Sequence, residues 1–373
     1  MPRPHICHVT SVHIPLDGRI FFHECVSASE FYDVTLVCRD DGPERDRDGV
    51  RILPAASRLG GRVGRIRSRA ALVRAAEALG ADVYHFHDPE LLGPMAALRR
   101  RTGRPVVYDM HEHYPLTVRL RSWIPRPFRP LAAWLVERFE RHYVPRFDGL
   151  VVADDMLLAA WDAGGRQVVC LRNYPPLRLF KPATRTADRR PTMIYVGSIS
   201  RARGFDDMIE AARQVCRAVP NCRLVLVGTP TEDAGERLVR IAEEEPDLIE
   251  VRGPVPYDQL PAVLAEADVG LSLLSDHDKY RVNVPTKVFD YMAAGIPYVS
   301  SDFPPLRSIT GGVGGSLVLP GDTVAAASAI AEFLLDPDRA KSIGSQGRRA
   351  VEERINWESQ HGALQSLYQA LLG

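Results

Sequence analysis

Short apolar runs rich in valine, isoleucine and tyrosine alternate with longer amphipathic segments along the whole chain. The first half has five such runs: HICHVT, DVTLVC, ADVYHFH, RPVVYDM and DGLVVA. Segments with helical spacing, such as AALVRAAEALG, lie between them. Strands that alternate with helices form βαβ units, and the strands of such units pair in parallel. The pattern therefore predicts an α/β protein with doubly wound, Rossmann-like sheets.

The alternation stops at residues 172–191, a proline-rich stretch without apolar periodicity, and then starts again. The second half has the runs PTMIYVG, RLVLVG, LIEVRG, DVGLSLL and IPYVSS. We therefore expect an N-terminal domain over 1–175 and a C-terminal domain over 185–354, facing each other across a cleft. An amphipathic helix over about 355–373 is expected to pack back on the first domain.

Composition narrows the class of protein. The sequence contains no run of eighteen apolar residues, so no membrane-spanning helix is predicted. The first apolar run is too short for a signal peptide. The six cysteines form no CxxC pair. We therefore expect buried, reduced thiols and a cytoplasmic protein.

Positive charge is concentrated in the first half of the chain. Residues 1–180 carry 26 basic and 21 acidic side chains, whereas residues 181–373 carry 21 basic and 26 acidic ones. The first half is therefore expected to face an anionic partner. Within it, residues 119–146 interleave arginine with tryptophan and phenylalanine, which fits a peripheral membrane contact as well as an amphipathic core helix. The stretch lacks the stacking platform of a nucleic-acid site, so no nucleic-acid partner is expected.

The segment Asn283–Pro297, NVPTKVFDYMAAGIP, predicts a helix with a ligand at its beginning. Proline at 285 suits a first helical turn and Gly295 a helix end, which gives about eleven helical residues. The free N–H groups of the first turn would hold a diphosphate, and Asp290 would reach a ribose diol. An ordinary capped helix with an exposed aspartate is the alternative.

The same segment resembles the C-terminal half of the family-4 retaining glycosyltransferases, which have the GT-B fold. DYMAAGIPYVSSD is similar to the second half of their Glu-x7-Glu motif, and PTKVFDYM is similar to a sub-branch motif, P-x-K-x-F-[ED]-Y-M. Further similar segments are IYVGSISRARGFDDMIEA, HVTSVHIPLDGRI and VVYDMHEHYP. The resemblance implies two Rossmann-like domains and transfer of a sugar from a nucleotide sugar to a hydroxyl acceptor. It also implies that neither a metal nor a further cofactor takes part.

The resemblance implies a donor site in which several family positions are changed. Arg203 stands where the family has its phosphate-binding lysine, and Ser198 replaces the family's arginine, whose charge Arg201 could restore. Val282 replaces the first glutamate of the motif, which leaves Asn283 or Tyr280 to contact the donor sugar. The complete expected donor set is Gly18, Arg19, Gly197, Ser198, Arg201, Arg203, Val255, Asn283, Val284, Pro285 and Asp290.

In the first half the resemblance implies a catalytic histidine, His111, with His113 as the competing assignment. The expected acceptor side consists of His87, Asp88, His113 and Tyr114. HFHDPE also offers metal-ligand types, but the resemblance favours a polar strand end without metal. The alternatives to a transferase are a sugar-nucleotide 2-epimerase and an inactive nucleotide-sugar-binding protein. The acceptor, glycan or lipid-linked or a small molecule, stays open.

Overall fold

The computed structural model describes residues 2–121, 124–161, 167–181, 190–231 and 233–373. The chain divides into two compact units. Unit 1 consists of Met1–Asn173 and Glu358–Gly373, and unit 2 is Tyr174–Trp357. The chain thus returns to its first unit at the C-terminal end.

Unit 1 is built on an eight-stranded sheet whose order is β3-β4-β2-β1-β5-β6-β7-β8. Its strands are β1 His5–Val9, β2 Asp33–Arg39, β3 Arg45–Arg47, β4 Val50–Ala56, β5 Val83–Phe86, β6 Val106–Met110, β7 Gly149–Val152 and β8 Gln167–Cys170. Every pairing is parallel except that of β3 with β4. The strand order reverses between β1 and β5, which is the point where open α/β sheets bind ligands.

The helices of unit 1 cover both faces of this sheet. They are α1 Val26–Ser29, α2 Gly61–Ala78, α3 Leu92–Thr102, α4 Tyr114–Leu120, α5 Arg129–Tyr143, α6 Asp155–Trp161, the π-helix Gly18–Cys25 and the C-terminal helix His361–Leu372. In the described part of the chain, no helix combines the length and apolar character needed to cross a bilayer.

Unit 2 is built on a six-stranded parallel sheet whose order is β11-β10-β9-β12-β13-β14. Its strands are β9 Thr192–Val196, β10 Arg223–Val227, β11 Ile249–Arg252, β12 Val269–Ser272, β13 Tyr298–Ser301 and β14 Gly315–Val318. Its helices are α7 Phe205–Ala218, α8 Gly235–Glu244, α9 Leu260–Leu264, α10 Asp278–Val282, α11 Lys287–Ala294, α12 Pro304–Thr310, α13 Thr323–Leu335 and α14 Pro337–Glu353. Here the order reverses between β9 and β12.

The predicted fold class is confirmed, because both units are doubly wound α/β sheets. Four strands escaped prediction: β3, β4, β8 and β14. Helix α11 has eight residues rather than about eleven, and α10 lies where the sequence indicated a loop. The C-terminal helix begins at His361 rather than near 355, because Trp357 is buried in unit 2 and its N–H donates to Pro175 O at 3.1 Å. Of the proline-rich stretch 172–191, residues 182–189 lie outside the described residues.

One cysteine pair corrects the expectation of six reduced thiols. Cys216 and Cys222 form a disulfide, with their Cα atoms 5.8 Å apart. Cys216 lies in the last turn of α7 and Cys222 immediately precedes β10, so a five-residue connection brings them together. The other four cysteines are free thiols.

Gly204 brings the loops after β9 and β12 into contact. It is the residue before α7 and has a φ of 75°. A Cβ atom at this position would lie 1.4 Å from Leu273 O. Only glycine therefore allows the two loops to approach this closely at the reversal point.

Gly204→Ala should destabilise unit 2 by about 2 kcal/mol or more, because the new methyl group meets backbone at an unfavourable φ. The control is Gly253→Ala, since a methyl group there meets nothing within 4 Å. Urea unfolding measures both variants. Equal stabilities for the two variants would contradict the close approach.

Candidate functional site

The candidate site of unit 2 lies at the carboxyl ends of β9 and β12. Gly197 follows β9 with a φ of 128°. The 3-10 turn Arg201–Arg203 comes next, and the Ser200 hydroxyl before it accepts a hydrogen bond from Arg203 N at 3.3 Å. The turn therefore folds the chain back so that Arg203 approaches Gly197.

Two cationic side chains converge on Gly197. A methyl carbon built on Gly197 would lie 3.7 Å from Lys287 Cε and 4.0 Å from Arg203 Nη1. Lys287 is only 9% exposed, and its Nζ lies 4.8 Å from the centre of the Tyr195 ring. Burial lowers the pKa of Lys287, and the charge of Arg203 lowers it further, to about 7, although Asp290 opposes the shift. Two positive groups this close in a buried place favour an anion between them.

Helix α11 places Lys287 and Asp290 at this edge of the sheet. Its Tyr291 packs flat against β12, where a methyl group on Gly270 would lie 2.4 Å from the ring, and the Tyr291 hydroxyl donates to Leu271 O at 3.0 Å. Asp290 Oδ1 accepts a hydrogen bond from the Tyr257 hydroxyl at 2.9 Å. Burial raises the pKa of Asp290 to about 7, against the opposing effects of Tyr257 and Lys287.

The sequence missed Lys287 and overrated Arg201. Arg201 is exposed, and its Nε lies 3.6 Å from Asp206 Oδ2, so it does not replace the charge lost at Ser198. Lys287 supplies the second positive charge instead. The signal was present in PTKVFDYM, where Lys287 stands two residues after Pro285.

Ser198, Val255, Val284 and Asn283 are further predicted donor residues of unit 2, and their roles stay predictions. The Ser198 carbonyl accepts a hydrogen bond from the Tyr195 hydroxyl at 2.8 Å. Val255 and Val284 pack half-buried against the apolar core of unit 2. Asn283 ends α10, and within the described residues its buried Oδ1 has no hydrogen bond.

In unit 1 one face of the sheet carries buried polar side chains around Asp109. Parallel register places His8 of β1 beside His85 of β5, and alternation puts His87 and Asp109 on the same face. The opposite face is apolar and holds Cys7, Val9, Tyr84, Phe86, Tyr108 and Met110. The polar face is covered by the π-helix Gly18–Cys25 and the C-terminal helix.

The Asp109 carboxylate accepts four hydrogen bonds or ion-pair contacts. Arg19 Nε and Nη2 reach its two oxygens at 2.8 and 2.7 Å. His87 Nδ1 and His111 Nε2 lie 3.1 and 2.6 Å from Oδ2. Burial would raise the pKa of Asp109, but Arg19 and His111 hold it well below its usual value. Burial and Asp109 raise the pKa of the neighbouring Glu24 well above its ordinary value, although Arg19 opposes the shift.

The predicted donor role of Gly18 and Arg19 is not supported by their positions. Gly18 begins the π-helix, and Asp17 already accepts hydrogen bonds from the N–H groups of Arg19 and Ile20 at 2.9 and 3.0 Å. Arg19 is buried, and beyond Asp109 its Nη1 donates to Leu171 O at 2.7 Å. Its charge therefore stabilises the interior of unit 1 instead of facing a phosphate.

His111 follows β6 and shares its surroundings with a second histidine that the sequence missed. The His13 ring centre lies 4.9 Å from that of His111. Burial would lower the pKa of His13, but Asp17, 3.0 Å away, and Asp88 raise it to about 9. His13 is therefore a cation at neutral pH, and HVTSVHIP holds no sequence signal that would single it out.

The predicted acceptor residues are more buried than expected. His87 and Asp88 are fully enclosed, and Asp88 Oδ2 accepts hydrogen bonds from Thr10 Oγ1 at 2.8 Å and Ser11 N at 2.6 Å. His113 precedes α4 and lines a cavity with Glu137 and Glu140 of α5. Tyr114 packs partly buried against the apolar core. His111 therefore has the better surroundings for a polar role than His113.

Two groups of side chains in unit 1 have the residue types of metal ligands. They are His8, Glu24, His85 and His87, and His87, Asp109 and His111, with ligand atoms within 4.8 Å of one another in each group. Hydrogen bonds already join several of these atoms, including His8 Nδ1 and His87 Nε2 at 3.0 Å. The absence of a metal requirement stays a prediction.

Asp109→Asn should destabilise unit 1 by about 3–5 kcal/mol, because it leaves the buried Arg19 charge without its carboxylate. The folded pKa of Asp109 lies below the unfolded value, so this stabilisation is present above about pH 4 and is lost as the pH falls. Glu77→Gln is the control, since the exposed Glu77–Arg101 pair should contribute only about 0–1 kcal/mol. Urea unfolding at pH 7 compares them, and similar losses would contradict the role of Asp109.

Known proteins match both halves of the chain. The family model described as Glycosyl transferases group 1 matches residues 190–336, and that described as Glycosyl transferase 4-like domain matches residues 27–165. The Salmonella typhimurium protein named as the colanic acid biosynthesis glycosyltransferase WcaL is 28% identical over 248 residues, which are 62% of this chain. The chain spans about 60% of the length of the first curated relatives it matches.

Solved structures share the fold over nearly the whole chain. Sucrose-phosphate synthase from Thermosynechococcus elongatus has a TM-score of 0.76 at 20% identity and covers 99% of both chains. The Anabaena protein HepE, in complex with UDP-glucose, has a TM-score of 0.67 at 16% identity and covers 98% of this chain and 99% of that one. At 16–20% identity these solved structures show the fold alone, which is the GT-B fold. Each half of the chain matches a glycosyltransferase family model, and the chain is therefore a glycosyltransferase of the GT-B fold.

Proposed function

We propose that the chain transfers a sugar from a nucleoside-diphosphate sugar to a hydroxyl acceptor, with retention at the anomeric carbon and without a metal. The observation that carries the proposal is the convergence of Lys287 and Arg203 on Gly197 at the reversal point of the unit 2 sheet. An anion placed there relieves the repulsion that lowers the pKa of Lys287. In a glycosyltransferase that uses a nucleotide sugar, the diphosphate group of the donor would be that anion.

Lys287, Arg203 and the first turn of α11 would hold the diphosphate together. The first N–H groups of a helix have no partner within the helix and attract anions. Arg203 can contact two phosphate oxygens at once, whereas Lys287 acts as a point charge. In this arrangement Lys287 takes the place of the family arginine that Ser198 has replaced.

Asp290 would accept hydrogen bonds from the ribose hydroxyls, one turn along α11 from the phosphates. Its hydrogen bond with the Tyr257 hydroxyl fixes the carboxyl group. The donor sugar would then be held by other groups than the family glutamate that Val282 replaces. Asn283 is the strongest candidate, because its buried Oδ1 has no hydrogen bond within the described residues.

The chemistry follows from where charge develops. In a retaining transfer the sugar becomes oxocarbenium-like while negative charge grows on the departing diphosphate. Fixed positive groups at the diphosphate stabilise that charge without rearranging, so the buried Lys287 and the partly buried Arg203 would do what a divalent ion does elsewhere. The departing phosphate would take the proton of the acceptor hydroxyl, and His111 would act as a polar group that assists turnover.

Lys287→Met should weaken nucleoside-diphosphate binding by about 1.5–3 kcal/mol, because it removes a charge-assisted contact. In the protein without ligand the pKa of Lys287 is about 7, so the side chain is largely neutral at pH 8. It must therefore take up a proton when the diphosphate binds. Affinity in the parent protein should therefore fall as the pH rises above 7. In Lys287→Met this part of the pH dependence should be lost.

Calorimetry at pH 7.5 in two buffers of different ionisation enthalpy measures the proton uptake. UDP, GDP, dTDP and ADP are the ligands. Inorganic pyrophosphate is a further ligand that has no ribose, so its binding reports on Lys287 without the proposed contact to Asp290. The exposed Lys341→Met is the control and should change neither affinity nor uptake. Equal proton uptake by the parent and Lys287→Met would contradict the assignment.

The acceptor side of the proposal rests on an exposed apolar face of α5 in unit 1. Five large side chains at helical spacing are between 42% and 61% exposed: Phe128, Leu131, Trp134, Leu135 and Phe139. Arg138 lies over the Trp134 ring at 5.8 Å, and further arginines flank the face. Apolar side chains bordered by arginine suit the interface of an anionic membrane, so we favour a lipid-linked acceptor at the inner face of the cytoplasmic membrane.

Leu131→Ser combined with Trp134→Ser should remove binding to anionic vesicles, because it shortens the apolar face at its centre. Sedimentation with phosphatidylglycerol vesicles at low and high salt measures the bound fraction, which should fall with salt in the parent protein. Leu59→Ser, at an exposed leucine away from α5, is the control. Absence of vesicle binding by the parent protein at any salt would favour a small-molecule acceptor.

A further inference from the structure

A continuous chain of buried hydrogen bonds runs from the C-terminal helix to Asp109. The Tyr368 hydroxyl lies 2.7 Å from His85 Nδ1 and 3.1 Å from His8 Nε2. His8 Nδ1 lies 3.0 Å from His87 Nε2, and His87 Nδ1 lies 3.1 Å from Asp109 Oδ2. All five side chains are fully buried. The C-terminal helix thus connects to the carboxylate that contacts His111.

Only one arrangement of protons satisfies every bond in this chain. Asp109 is ionised and only accepts, so His87 carries its proton on Nδ1 and accepts at Nε2. His8 must then donate from Nδ1 and accept at Nε2, which makes the Tyr368 hydroxyl the donor to His8. Burial lowers the pKa values of His8, His85 and His87, so all three rings are neutral.

His85 completes the order at the far end of the chain. Its Nδ1–H donates to the Tyr368 oxygen, and its Nε2 has no hydrogen bond among the described residues. Every donor in this series of hydrogen bonds points toward Asp109, so the series must begin with a nitrogen that accepts no hydrogen bond. An unpaired acceptor such as His85 Nε2 costs less there than an unpaired donor would. The reverse order would leave His87 Nδ1 without a proton opposite the Asp109 carboxylate, so that two acceptors would face each other.

We infer that Tyr368 is a positioning residue for His111, acting through His8, His87 and Asp109. While Tyr368 donates to His8, both rings are held in the Nδ1–H form and His87 remains a donor to Asp109. The other groups that donate to Asp109 are then fixed, so Asp109 Oδ2 has a fixed position opposite His111 Nε2. The hydrogen bond between these two atoms sets the orientation of the His111 ring. Without Tyr368, His8 Nε2 loses its donor and the order of protons is fixed from the Asp109 end alone, so the His8 and His87 rings, and with them the contact to Asp109, are held less firmly.

The inference rests on the proposed role of His111 in turnover, but its structural part is measurable without activity. In protein labelled with 15N-histidine, the ring nitrogen shifts should show His8 and His87 in the Nδ1–H form. In Tyr368→Phe the Nε2 signal of His8 should shift, because that acceptor nitrogen loses its hydrogen-bond donor. Signals in the Nε2–H form in the parent protein would overturn the inference whether or not the chain is a transferase.

Kinetics test the link to His111. Tyr368→Phe should lower kcat about tenfold and leave KM for the donor within about twofold, because donor binding is assigned to unit 2. In a His111→Ala background the same change should cost nothing further in kcat. An equal loss in both backgrounds would reduce Tyr368 to a purely structural role. If His111→Ala itself turns over normally, the role of His111 is wrong while the tautomer result stands.

Tyr108→Phe is the matched control. Tyr108 is equally buried but lies on the apolar face, and its hydroxyl has no hydrogen bond among the described residues. Removing that hydroxyl should leave both kcat and the histidine signals unchanged. The same tenfold loss in Tyr108→Phe would overturn the specific role of Tyr368.

A second pair of variants covers the case in which Tyr368→Phe does not fold. His87→Asn keeps an amide N–H near the position of Nδ1 and should retain most of the kcat, whereas His87→Leu should lose about tenfold. Equal kcat values in these two variants would contradict the inference. So would one equivalent of zinc in the purified parent protein that is lost in His85→Leu, because the rings would then be ligands rather than a hydrogen-bonded chain.

Discussion

The buried carboxylate of Asp109 organises unit 1. It lies at the carboxyl end of a central strand, where a charge without partners would be very costly. Arg19 comes from the π-helix and His87 from the next strand, so elements distant in sequence are tied to one point. Burial raises the pKa of Glu24 and lowers the pKa values of His8, His85 and His87, so the ion pair of Asp109 and Arg19 is surrounded by groups whose charged forms are disfavoured. His111 lies at the edge of this sheet and is the contact of Asp109 that is partly exposed and could reach a substrate.

Unit 2 has the opposite arrangement at its corresponding edge. Lys287 and Arg203 both approach Gly197, and burial raises the pKa of the neighbouring Asp290 to about 7. In unit 1 the protein supplies both charges, whereas in unit 2 it supplies mainly the positive ones. That difference is the physical reason for assigning the anionic substrate to unit 2.

Much of the fold was predictable because it follows from local patterns. Parallel, buried strands such as β1, β9 and β10 read as continuous apolar runs, whereas β3 is short and polar and β14 contains glycine and serine, so neither gave a signal. Asp290 and Arg203 could be assigned from motif spacing. The burial of Arg19 could not, because it depends on Asp109, ninety residues away. The proximity of Lys287 to Arg203 and that of Tyr368 to His8 likewise depend on contacts between residues distant in sequence, so motif spacing alone does not predict them.

The central claim is sugar transfer from a nucleotide sugar with retention, driven by cations that hold the departing diphosphate. It can be tested before the acceptor is known if water takes the place of the acceptor hydroxyl and the donor sugar is released. Proton NMR of the first sugar released from the best-bound α-linked donor, in the presence of EDTA, records the anomeric configuration before mutarotation. The account predicts the α-anomer, released together with the nucleoside diphosphate. Release of the β-anomer, or release only after a divalent metal is added, would contradict it.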